Sequence, residues 1–135
     1  MVTLAIHDRR ENHGLVIDLR HLLTLVAPLS LTARWTIKSP QWEDFWATGE
    51  GGLRLEKLAE ASAEVGGDEL LALANETEQV IWGDFVGNLT GEPNGIWMTI
   101  RAVDSSYFEV ETTDREAIAK IKARFSDVRI MAAND

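Results

Sequence analysis

Three histidines, His7, His13 and His21, fall within fifteen residues and are interspersed with Asp8, Glu11 and Asp18. Imidazoles and carboxylates are the donors that hold zinc and related cations, and Asp18 stands three residues before His21, the spacing at which a helix lets a carboxylate orient an imidazole. The spacing matches no common zinc motif, so a metal-dependent enzyme would need a loop to carry His7 and His13 toward His21. Read simply, the segment is a polar loop followed by the exposed side of an amphipathic helix, and neither a metal nor another cofactor is expected. Asp84 and Asp104 are the candidate general acids or bases of a hydrolase, and either would need a pocket to tune its pKa. Asp84, in Trp82-Gly83-Asp84-Phe85, is the stronger candidate, because Asp is depleted in strands and Gly83 reads as a bulge that re-aims a neighbour.

Other catalytic signatures are missing. There is no Gly-x-Ser-x-Gly elbow, and Ser105-Ser106 reads as a turn. Gly49-Glu50-Gly51-Gly52 precedes a helix but lacks the Lys-Ser/Thr of a phosphate loop, and Glu50 would repel the anion. The glycines therefore read as a flexible interhelix connection. No catalytic residue is assigned, and the chain reads as a binding protein rather than an enzyme.

Two surfaces could bind. Trp97 shares a strand parity with Thr99 and Arg101, so on a sheet covered on one side its indole is expected in the open beside Arg101, with Tyr107 and Glu109 across a hairpin. Trp, Tyr and Arg are the types enriched at binding hot spots, and such a face, or a cleft beside loop 87–95, suits a small molecule or a peptide. Trp35 is expected in the core, with Trp42 and Trp46 buried against it or against the first helix. The second surface is acidic: Glu56, Glu60 and Glu64 succeed one another at four-residue steps, which on one helix would stack their carboxylates along a single face.

The 135 residues carry 13 Lys+Arg and 22 Asp+Glu, a formal net charge of −9. The excess is local, because residues 39–95 hold two cations against twelve carboxylates. Such a field steers association with a basic protein partner, and it disfavours nucleic acid. A homodimer is also compatible with the sequence. There is no cysteine; that absence and the lack of a signal or membrane-spanning run fit a soluble cytoplasmic protein. In size and charge alone, with no shared motif, the chain resembles bacterial inhibitor and immunity proteins that neutralise cationic toxins. The expected role is thus a small acidic interaction module for a basic partner.

The elements that must position these residues read as one α+β domain over 1–135, in the order β-α-β-α-α-α-β-β-β-α-β. A mainly antiparallel twisted sheet of five to six strands is expected, with helices on one face and an inserted acidic helical segment. Val2, Leu4 and Ile6 alternate as an opening strand, and Leu15, Leu19, Leu22, Leu23 and Val26 follow a helical period that Pro28 stops. Residues 31–38 alternate as a strand. Ser39-Pro40 reads as a helix start ahead of Trp42, Phe45 and Trp46, and a further helix is expected to run to the Gly66-Gly67 pair. A short helix over 69–74 follows, capped by Asp68. Strands over 79–86 and 96–104 form a hairpin. A three-residue loop, Asp104-Ser105-Ser106, joins the next strand over 107–112 and sets Arg101 opposite Glu109. Thr113 and Glu116 have capping-box spacing for a helix buried through Ile118, Ile121 and Phe125, and a last strand over 127–132 returns parallel to the 107–112 strand.

Overall fold

A computed structural model describes residues 1–9, 15, 17–89 and 95–133. Its elements are β1 (Val2–Ile6), α1 (Leu19–Leu25), α2 (Leu29–Thr32), β2 (Arg34–Lys38), β3 (Trp46–Thr48), α3 (Glu50–Glu60), β4 (Glu64–Gly66), α4 (Gly67–Asn75), β5 (Gln79–Asn88), β6 (Ile96–Val103), β7 (Tyr107–Thr112), α5 (Arg115–Arg124) and β8 (Val128–Ala133). The strands form one antiparallel sheet in the order β4-β2-β5-β6-β7-β1-β8, with β3 paired to β5. This is the expected α+β class, with two more strands than the period-two runs indicate.

The register explains the layers. Directly paired residues share a face, so Ile37, Phe85, Ile100, Val110 and Leu4 form one row across five strands, and Trp35, Gly87, Met98 and Thr112 form the next. Both rows are buried against Leu19, Leu22 and Leu23 of α1, Leu55 of α3, Leu70 of α4 and Ile121 of α5 in one core. Alternate positions carry the polar residues, as a sheet covered on one side requires. β7 and β8 both lie antiparallel to β1, which separates them, so the α5 connection is a parallel crossover past an intervening strand. No helix among the described residues is long and apolar enough to cross a membrane.

Several boundaries differ from the sequence reading. α1 begins at Leu19, because Asp18 is extended and its amide donates to Nδ1 of His21 at 2.8 Å. Leu15 instead bridges to Arg9. Leu31 and Thr32 belong to α2, and β2 starts at Arg34. The helix over 42–46 does not form: residues 46–48 pair with β5, Ala47 turns into the core, and the Glu78 amide donates to the Thr48 carbonyl. Sheet pairing and burial outweigh the local Ser-Pro signal. α3 includes Gly51 and Gly52 and ends at Glu60; Ser62 takes φ 48°, and the chain reverses into the edge strand β4. At α5 the cap is Asp114 rather than Thr113, its Oδ1 accepting from the Glu116 and Ala117 amides. Ala117 and Ile121 are fully packed there, whereas Ile118 is only partly buried.

Asp18 ties α1 to the sheet. Its Oδ1 accepts from the Val80 amide of β5 at 3.1 Å, and Arg20 lies 3.4 Å from Oδ2. Burial pushes its pKa up to about 6 from 3.8, against the pull of the Val80 and Leu19 amides and Arg20. A carboxyl whose folded pKa is raised opposes folding once ionised, so its contribution to stability falls as pH rises from 3.8 to 6. D18N keeps an oxygen for the Val80 amide without the charge. It is expected to be more stable than wild type at pH 7, by about 1–3 kcal/mol, with the difference vanishing near pH 3.5. Denaturant titrations at the two pH values check this, and equal differences at both would refute it.

Candidate functional site

Two irregularities decide what the open face carries. At the start of β6, Ile96 pairs with Asn88 and Met98 with Gly87, which leaves Trp97 as an extra residue. A bulge of this kind breaks the alternation of faces. Trp97 consequently leaves the Arg101 face: it is 8% exposed, lies edge-on to Trp35 at 6.0 Å, and donates through Nε1 to Oδ2 of Asp114. The expected exposed pair of Trp97 and Arg101 is therefore not present. The second irregularity lies in β5, where Trp46 pairs with Trp82 but Ala47 with Val80, so Ile81 is the extra residue. Val80 and Ala47 turn into the core while Trp82 and Trp46 share the opposite side.

Gly83 is not a bulge, because it pairs regularly with Ala102. It is glycine for space: a Cβ there would lie 2.5 Å from the Phe45 ring, which packs edge-on against Phe85. Phe45 thus anchors the inner side, and Trp42 and Trp46 on either side of it stay outside at 83% and 53% exposure. Their expected burial is corrected: three residues between Trp42 and β3 cannot turn every indole inward once Phe45 has taken the place over Gly83.

The outer face bears a row in register of Lys38, Asp84, Arg101, Glu109 and Arg129, the last two separated by the buried Ala5 of β1. Arg101 donates to Glu109 at 3.5 Å and to Glu111 at 3.0 Å, the expected cross-hairpin contact with a second carboxylate added. The Asp84 carboxylate makes no hydrogen bond or ion pair with the described residues. Burial pushes its pKa above the ordinary carboxylate value, Arg101 pulls it down, Glu109 pushes it up and Lys38 pulls it down. Over this row lies a cleft of about 380 Å³, walled by Trp42, Trp82 and Tyr107 with Asp84, Arg101 and Glu109 among its lining. Glu43 and Asp44 stand exposed beside Trp42. An aromatic wall with an unpaired carboxylate in the same lining suits a cation.

The other sequence candidates do not converge on this cleft. Glu56, Glu60 and Glu64 form no common helical face: Glu56 accepts from the Ala47 amide, Glu60 ends α3, and Glu64 lies on β4 beside Arg34 at 2.8 Å. Asp104 has φ 52° and Ser105 φ 59°, so both serve the β6–β7 turn, and Asp104 is exposed there. His7 stacks on Tyr107 at 4.6 Å, His21 is held in the first turn of α1, and His13 lies outside the described residues, as do 90–94 of the loop considered above. The Asp18 backbone amide donates to Nδ1 of His21, which fixes the imidazole. Among the described residues no group of His, Asp and Glu is placed to hold a metal.

Fold and cleft together define an α+β domain built on one antiparallel sheet, with a polar, partly exposed outer face. No protein-family model, no curated protein and no solved structure matches the chain. Trp42 and Trp82 are the site residues that sequence reasoning missed; the available signal was the two-residue spacing of Trp82 and Asp84, which on an extended strand puts both on one face.

Proposed function

We propose that the protein is a binding module that recognises a basic protein partner by taking an arginine side chain into the cleft of Trp42, Trp82, Tyr107 and Asp84. One observation carries this reading: Asp84 is a partly buried carboxylate that no described residue neutralises by direct contact, and it lines the same cleft as Trp42, Trp82 and Tyr107. An incoming guanidinium supplies the missing hydrogen bonds and stacks on the rings, which a planar delocalised cation does better than an ammonium. Arg101 does not fill that role, because Glu109 and Glu111 already engage it. The acidic excess of 39–95 adds long-range attraction toward the same partner and makes its association salt-dependent.

The test is a tryptophan-fluorescence titration of the full chain with a tryptophan-free peptide alternating Arg and Gly, and with a Ser-Gly peptide of equal length. Saturable quenching is expected with the Arg peptide only, weakening as salt is raised. Equal responses to the two peptides would sink the proposal.

A further inference from the structure

A second cleft lies among the helices, lined by Arg20, His21 and Leu25 of α1, by Asn75 at the end of α4, and by Arg124 and Phe125 at the end of α5. It holds about 290 Å³, close to the small end of the range for small-molecule sites. No carboxylate is among its lining residues, in a chain with 22 acidic and 13 basic side chains.

Its polar groups are preset as donors. Arg20 is held by the Thr77 carbonyl at 3.3 Å and by Asp18. The Arg124 guanidinium sits 5.2 Å from the centre of the Phe125 ring and makes no ion pair with a described residue. On His21, Nδ1 accepts from the Asp18 amide, so the proton of the neutral ring sits on Nε2. Burial, followed by the charges of Arg20 and Arg124, lowers the pKa of this imidazole, which keeps it neutral at pH 7 and marks a positive field around it. Arg20 is already paired with Asp18, whereas Arg124 has no ion-pair partner among the described residues, so the cleft keeps an uncompensated guanidinium, and Leu25 and Phe125 add apolar surface alongside.

We propose that this cleft binds a small organic anion, with its carboxylate held by Arg20, Arg124 and the Nε2–H of His21 and its apolar body lying on Leu25 and Phe125. A guanidinium favours a carboxylate head geometrically as well as by charge. The apolar wall favours a short-chain or aromatic acid over a bare ion. This site is separate from the cleft on the open sheet face, and either proposal can fail without the other.

The experiment is an NMR titration of the full chain at pH 7, following the side-chain signals of His21 and Arg124. Hexanoate is expected to shift both saturably. Hexanamide, which has the same shape and no charge, is expected to leave them in place, and inorganic phosphate is expected to bind more weakly than hexanoate. R124A removes an exposed side chain, so the fold is expected to persist while hexanoate binding weakens about tenfold. W42A is expected to leave it unchanged. Absence of saturation with hexanoate, hexanamide binding as well as hexanoate, phosphate binding as tightly, or an unweakened R124A would each overturn the proposal.

Discussion

The double variant W42A/D84N is expected to bind the Arg-Gly peptide about 100-fold more weakly than wild type while unfolding at nearly the same denaturant concentration. Trp42 is 83% exposed, so removing its indole leaves the core intact. A cation held over an indole contributes about 1–2 kcal/mol, and a hydrogen bond to a charged carboxylate contributes about 1.5–3 kcal/mol. Each 1.4 kcal/mol corresponds to about tenfold in affinity, and the two losses, about 2.5–5 kcal/mol if they add, come to roughly two such steps. The pH dependence has a definite sign. Burial raises the Asp84 pKa, and an incoming cation favours the ionised form, so the affinity of the wild type is expected to rise with pH across the range in which Asp84 ionises. D84N alone is expected to lose that slope. A double variant within about threefold of wild type, or a single D84N variant that keeps the slope, would contradict the account.

A second large effect is expected far from the cleft. Gly67 opens α4 against α2, and a Cβ at this position would lie 1.8 Å from the Ser30 carbonyl oxygen and 2.8 Å from Leu31 Cα. Both obstacles are backbone, so no side-chain rotation relieves them. The Ser30 carbonyl also accepts from the buried indole Nε1 of Trp35 at 2.9 Å, and the Gly67 amide donates to Ala33 at 2.9 Å. Displacing this corner therefore disturbs the largest side chain of the core as well as the junction of β4 and α4. G67A is expected to lose about 3 kcal/mol, the upper end of the range for overpacking and a large share of a small domain's stability. The shift of the urea midpoint measures it; a loss below about 1 kcal/mol would mean that the corner yields easily.

Much of the fold is legible in the sequence wherever a period runs long enough. The alternation over 96–103 and 107–112, with three residues between, implies the hairpin in which Arg101 faces Glu109, and that register is present. β1 and the α5 crossover to β8 are equally plain, because each buries a periodic stripe. β3 and β4 are not legible: three residues cannot display a period, and both exist because a neighbouring strand leaves backbone groups to pair. The same limit governs the site. Parity counting assigns Arg101 and Glu109 to one face correctly, and Asp84 joins them through the β5–β6 register. It fails at Trp97, because one unpaired residue at the start of β6 turns the indole inward, where Asp114 accepts its proton. It also has no means of seeing that Phe45, rather than Trp42 or Trp46, takes the space over Gly83. The aromatic wall of the cleft follows from that tertiary choice, not from any local pattern.

The five tryptophans provide the most direct measurement. Trp42, Trp46 and Trp82 lie on the outer side, whereas Trp35 and Trp97 are buried on the inner side with their indole N–H groups bonded to Ser30 and Asp114. Five assigned indole N–H signals therefore report both faces at once during a titration with the Arg-Gly peptide. The Trp42 and Trp82 signals are expected to move saturably while those of Trp35 and Trp97 stay fixed. Movement of Trp35 and Trp97 with Trp42 and Trp82 unchanged would contradict it.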